Sequence, residues 1–199
     1  MDRLRRQVPR REVIEQYVRY DLRKKHPDQP LPKFDDWNWS GADAIDDEMG
    51  KLRLKVGVPA GYELWDEVLI TVNDLLGCAV DSAINESLGS QLRMLGDLEA
   101  RGFLANWRPG SERPWHSSIA TGKIPDNVGP LLLRRAVPAE FPASWYVEDG
   151  GGRATAFVKY RSLFDPTATL VVGYLGATVD MRSSFLRQHL PALFMYGNR

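Results

Sequence analysis

A chain of 199 residues, 43% of them hydrophobic, suits one domain with extensions and can bury a real core. Its 26 basic residues balance 26 acidic ones, which argues against a dedicated non-specific nucleic-acid binder, since such proteins carry a basic excess. A single cysteine, Cys78, excludes an intramolecular disulfide, and no run nears the roughly 20 apolar residues of a membrane helix.

The N-terminal arginines, Arg3, Arg5, Arg6, Arg10 and Arg11, have no apolar run behind them and do not read as a secretory signal, so a cytoplasmic protein without membrane contact is expected. They read as the solvated end of a helix that starts at Pro9 and runs to about Lys25, with Val13, Ile14, Tyr17, Val18 and Leu22 as its apolar stripe. His26-Pro27 and Gln29-Pro30-Leu31-Pro32 end it and force an extended segment. The aromatic stretch Phe34 to Trp39 follows. Trp37 and Trp39 there either pin an arm to the body or offer a docking surface to a protein partner.

Ser40 can cap a second helix, Ala42 to about Lys55, acidic at its start and basic at its end as the helix dipole favours. Glu67 to Val72 alternates as a strand. Cys78 sits in an apolar run and reads as a small buried hydrophobe. Ser82 can cap a third helix carrying Ile84, Leu88, Leu92, Leu95 and Leu98, closed by Gly102. From 106 to 129 the composition predicts a long loop of the functional kind. Strands are expected at Leu131 to Leu133, Trp145 to Glu148 and Thr169 to Tyr174, a helix from Arg153 to about Leu163, and a last helix from Ser183 to Leu190. Without strict βαβ alternation the fold class is α+β, a small mixed sheet with packed helices. The division is an N-terminal helical extension and arm at 1–60, an α+β core at 61–180 and a C-terminal helix and tail at 181–199.

The strand, glycine turn and helix around Arg153 carry the strongest chemical signal. Gly150, Gly151 and Gly152 remove every Cβ from the turn, and the first amides of the next helix lack intrahelical partners. Arg153 adds a permanently charged fork, so the turn is a candidate phosphate or carboxylate site. A plain hairpin tip is the competing reading. Asp149 either contacts a metal or sugar or stabilises the turn. In the loop His116 to Lys123, His116 is a candidate acid or base and Lys123 a second phosphate contact. That loop is not a Walker A motif, because Ser117 and Ile124 stand where a Gly and a Ser or Thr belong. The three histidines are far apart in sequence, so a structural zinc site is not expected and no metal ligands are assigned.

Gly150, Arg153 and Ala156, with Pro130-Leu131-Leu132-Leu133-Arg134 ahead of them, resemble the Gly-x-x-Arg motif of the ParB/sulfiredoxin superfamily. The resemblance covers at most about Glu67 to Tyr174. It implies a nucleotide, ATP or CTP with Mg, or another phosphorylated small molecule, held against the turn. It also implies a phosphotransferase or nucleotide hydrolase acting on a small substrate. Departures limit it. Gly151 stands where sulfiredoxins carry their catalytic cysteine, and little chain follows Arg153 to hold the helix-turn-helix of partition proteins. If the turn binds nucleotide, Arg153→Ala is expected to abolish binding and leave the fold intact. Two other functions stay open: a non-catalytic interaction or adaptor protein of a bacterial or phage system, and a nucleic-acid-processing domain in which the N-terminal arginines, Arg134, Arg135 and Arg153 converge.

Overall fold

The computed structural model describes residues 4–54, 61–80, 94–109, 113–126, 128–135 and 145–177. The expected helix start at Ser82 and the last helix, Ser183 to Leu190, lie outside them.

Among the described residues six strands form one mixed sheet: β1 (Leu4–Val8), β2 (Leu64–Ile70), β3 (Cys78–Ala79), β4 (Leu131–Arg135), β5 (Trp145–Asp149) and β6 (Val171–Ala177), in the order β1-β2-β6-β4-β5-β3. Pairing is antiparallel except for β4 with β6 and β3 with β5. The helices among the described residues are α1 (Arg10–Lys25), α2 (Ala42–Lys51), α3 (Val72–Leu76), α4 (Leu95–Ala100), α5 (Pro114–Ala120) and α6 (Gly151–Lys159). The fold is α+β, as expected.

Strand alternation sends side chains to both faces, and both faces are covered. Val68 and Ile70, Leu131 and Leu133, Val147 and Leu175 point into one core, closed by Val72 and Leu75 of α3, Leu95 and Leu98 of α4, Ile119 of α5 and Phe157 of α6. Trp65, Leu132 and Tyr174 point into a second core with the apolar stripe of α1 and with Ile45 and Met49 of α2. The segment expected as an N-terminal extension therefore shares the sheet: β1 is its edge strand, and α1 lies on its second face.

Several elements differ from expectation for identifiable reasons. Arg5 and Arg6 lie in β1, not at a helix end, and Pro9 is the N-cap of α1. α2 is capped by Gly41, not Ser40, and stops at Lys51 because Arg53 is left-handed, with φ 57°. Val72 opens α3 instead of ending β2: Thr71 and Asp74 form a reciprocal capping box, each side chain bonding the other's backbone N–H. The helix through Leu95 and Leu98 does not extend back through Met94, which is extended and bridges Ala79. The 106–129 stretch is not all loop, since Pro114 opens α5 within it. Cys78 is fully buried and its thiol bonds the Asp74 carbonyl at 3.3 Å, while burial pushes its pKa up. Among the described residues no helix is long and apolar enough to cross a membrane.

Candidate functional site

β5 delivers the chain to Gly150, which is left-handed (φ 92°, ψ 12°) and is the N-cap of α6. Among the described residues no side chain caps that helix, and the first intrahelical bond closes from Ala154 N–H to the Gly150 carbonyl at 3.0 Å. The amides of Gly151, Gly152 and Arg153 therefore have no acceptor within the helix, and Gly151 and Gly152 are part-exposed. α6 otherwise buries Ala154, Ala156, Phe157 and Val158, so its small residues bring this end close to the sheet.

Arg153 does not reach outward. It is 3% exposed. Its Nη1 donates to the Val128 carbonyl at 2.6 Å, its Nη2 to Asp149 Oδ2 at 2.9 Å, and its guanidinium lies 4.5 Å from the centroid of Tyr20 on α1. A Cβ on Gly129 (φ 69°) would stand 2.5 Å from Tyr20 Cε2 and 2.7 Å from Arg153 Nη1. A Cβ on Gly150 would stand 2.7 Å from Arg153 Nη2. The arginine is thus the inner support of the turn, and both glycines are needed to admit it. Asp149 spends its carboxylate on the same ion pair, whereas Glu148, its neighbour, turns to Tyr62 and Arg134, at 3.0 and 2.8 Å.

Aromatic rings flank the turn. Trp115 of α5 approaches to 3.7 Å of where a Gly152 Cβ would sit, and Tyr20 backs Arg153. Burial holds the Tyr20 phenol above its ordinary pKa; the Arg153 charge opposes this, Asp149 adds to it, and Arg113 at the N-cap of α5 opposes it again. Tyr20, Val128 and Trp115 are not legible here from sequence, because each comes from another part of the chain and none belongs to a motif.

The other sequence candidates lie elsewhere. His116 packs among Trp107, Trp115 and Tyr160, near Lys159 at the end of α6 away from the glycines. Lys123 is exposed, next to Gly122, which abuts Leu163 beyond that same far end. The structure therefore gathers Asp149, Gly150, Gly151, Gly152 and Arg153, and leaves His116 and Lys123 apart from them. The tryptophan arm is folded down: Trp37 is 9% exposed, Trp39 stacks on it at 5.5 Å, and Trp39 Nε1 donates to the Phe34 carbonyl at 2.9 Å. Arg6 pairs with Glu12 and Glu67, and Arg11 with Glu15 and Asp35, so these arginines are spent on carboxylates rather than gathered into a patch.

No protein-family model, no curated protein and no solved structure matches this chain.

Proposed function

We propose that the chain is a phosphate- or nucleotide-binding domain whose ligand anion sits at the N-terminus of α6. The observation that carries this reading is the uncapped start of that helix at the end of β5. Three successive amides there, those of Gly151, Gly152 and Arg153, lack intrahelical acceptors, and the helix dipole favours negative charge at that point. In this reading Arg153 supports the turn from behind, and its backbone N–H, not its guanidinium, meets the ligand. Trp115 beside Gly152 offers a wall for the rest of the ligand.

The resemblance of Gly150, Arg153 and Ala156 to the ParB/sulfiredoxin motif supports ATP or CTP as the ligand. Among the described residues no three His, Cys, Asp or Glu side chains stand together as a metal cage, and no step is assigned to magnesium. Binding rather than transfer is what the geometry favours. Asp149 is ion-paired, and His116 packs among rings.

Calorimetric titration with ATP, CTP and inorganic phosphate, with and without magnesium, tests the reading on the wild type and on Gly152→Asp. A Cβ at 152 meets Trp115 at an ordinary 3.7 Å, so the variant should fold. A carboxylate there would complement the helix dipole and repel the anion. Binding by the wild type and loss in the variant are expected. No binding of any of the three, or equal binding in both proteins, overturns the proposal.

A further inference from the structure

His116, in the first turns of α5, is a half-buried titratable group that the anion site does not use. Its amide donates to the Arg113 carbonyl at 2.9 Å, so the backbone of α5 fixes where the ring begins. The imidazole centroid lies 6.1 Å from Trp107, 6.0 Å from Trp115 and 5.8 Å from Tyr160. Its Nε2 is buried and has no hydrogen-bond partner among the described residues.

The charges that bear on the ring are both positive. Lys159, at the end of α6, donates to the carbonyls of Ala105 and Trp107 at 2.9 and 2.7 Å. Arg108, on the segment after the 3-10 turn Phe103–Asn106, donates to the Trp107 carbonyl at 3.1 Å. Tyr160, the C-cap of α6, adds an aromatic ring, and Arg113 a further cation at the N-cap of α5 itself. A neutral imidazole fits this setting as a flat ring. An imidazolium would bring an N–H without an acceptor and another cation beside two that are already held in place.

We propose that His116 is a pH-sensitive latch: neutral, it holds α5 against α6; protonated, it leaves the aromatic cluster and α5 comes away with it. Trp115 is the next residue, so release of α5 also uncovers the start of α6. The latch stands on its own geometry; its effect on a ligand rests on the anion site proposed above.

Burial first, then the Lys159 and Arg108 charges, hold the imidazole below its ordinary value of 6.5. As pH falls, the released state takes its proton before the latched state does. The latch is therefore fully closed above 6.5 and weakens as pH falls from 6.5 through the lower folded value. Each unit between the two values favours release about tenfold at a pH beneath both.

Hydrogen exchange on the full chain at pH 7.5 and 5.5, corrected for the intrinsic rate, reads the latch directly. Amides of 115–120 should lose protection several-fold at pH 5.5 while β2 and β6 keep theirs, and His116→Phe, which retains a ring, should abolish the loss. Wild-type histidine labelled with carbon-13 gives a second readout by NMR, independent of whether that variant folds. Titration of His116 at or above 6.5, or unchanged protection of 115–120, overturns the proposal. Sulfate, which keeps its charge at both pH values, separates the two readings. Binding at pH 7.5 that weakens with the exchange change supports the coupling. The exchange change without sulfate binding at either pH supports the latch and counts against the anion site.

Discussion

Arg153 and Gly129 are fitted to each other across the space between α6 and the start of β4. The guanidinium donates to the carbonyl of Val128 at 2.6 Å, and the next residue has no Cβ because one would stand 2.7 Å from the same nitrogen. Neither residue's role is visible from its own neighbours in sequence.

Gly129→Ala should therefore cost stability twice over, through positive φ and through overlap with the Tyr20 ring. The sum is roughly 2–4 kcal/mol, measured as a lower urea midpoint at unchanged slope. Arg153→Ala should cost about 2–3 kcal/mol, because the Val128 carbonyl loses a charged donor in a buried setting. A loss below about 0.5 kcal/mol in either variant would show that the turn does not depend on this fit. The sequence-based expectation that Arg153→Ala leaves the fold intact is replaced by this one, since a residue 3% exposed cannot be a clean probe of ligand contact.

Gly152→Asp is the cleaner probe, and it separates stability from binding by sign. A carboxylate in the first turn of α6 interacts favourably with the helix dipole by about 0.3–1 kcal/mol, while repelling any anion at the same amides. Thermal denaturation should show an equal or higher Tm together with lost phosphate binding. A variant that is less stable than the wild type would mean that the N-terminus of α6 is more crowded than the 3.7 Å approach of Trp115 indicates.

The sequence made the periodic elements legible. The stripe on α1 and the apolar cores of β2, β4, β5 and β6 lie where hydrophobic spacing puts them, because burial on one face leaves a pattern. What it hid depends on partners distant in the chain. Leu4 to Val8 is too short and too rich in arginine to read as a strand, and it becomes one by pairing with β2. Pro114 begins a helix inside a stretch whose composition reads as loop. At the candidate site, Gly150 to Arg153 were legible as a strand–turn–helix, but the direction of the guanidinium was set by Asp149, Val128 and Tyr20. Only the first of these is local.

Trp37 separates a structural arm from a docking surface. It is packed between Phe34, at 5.2 Å, and Trp39, and belongs to the core beneath α1. Trp37→Ala should cost about 3–5 kcal/mol, the usual range for a large aromatic removed from a core. Chemical denaturation measures it. A loss under about 1 kcal/mol would mean that the arm is not held by this ring, and would favour the docking reading.

Arg53 offers a gain instead of a loss. α2 ends in a Schellman arrangement: the Arg53 amide donates to the Gly50 carbonyl at 2.9 Å, the Leu54 amide to the Met49 carbonyl at 3.1 Å, and Leu54 is buried behind them. The residue in the left-handed position is usually glycine, and here it is an exposed arginine at φ 57°. Removing its Cβ relieves about 1–2 kcal/mol of left-handed strain. Glycine also loosens the unfolded chain, which takes back about 0.4–1 kcal/mol. The side chain lies outside both cores, so little packing is forfeited. The difference leaves Arg53→Gly more stable by roughly 0.5–1 kcal/mol, whereas Arg53→Ala, which keeps the Cβ, should change little. Urea denaturation of the two variants side by side checks this. If glycine and alanine behave alike, the left-handed position is not where the strain of this helix end resides.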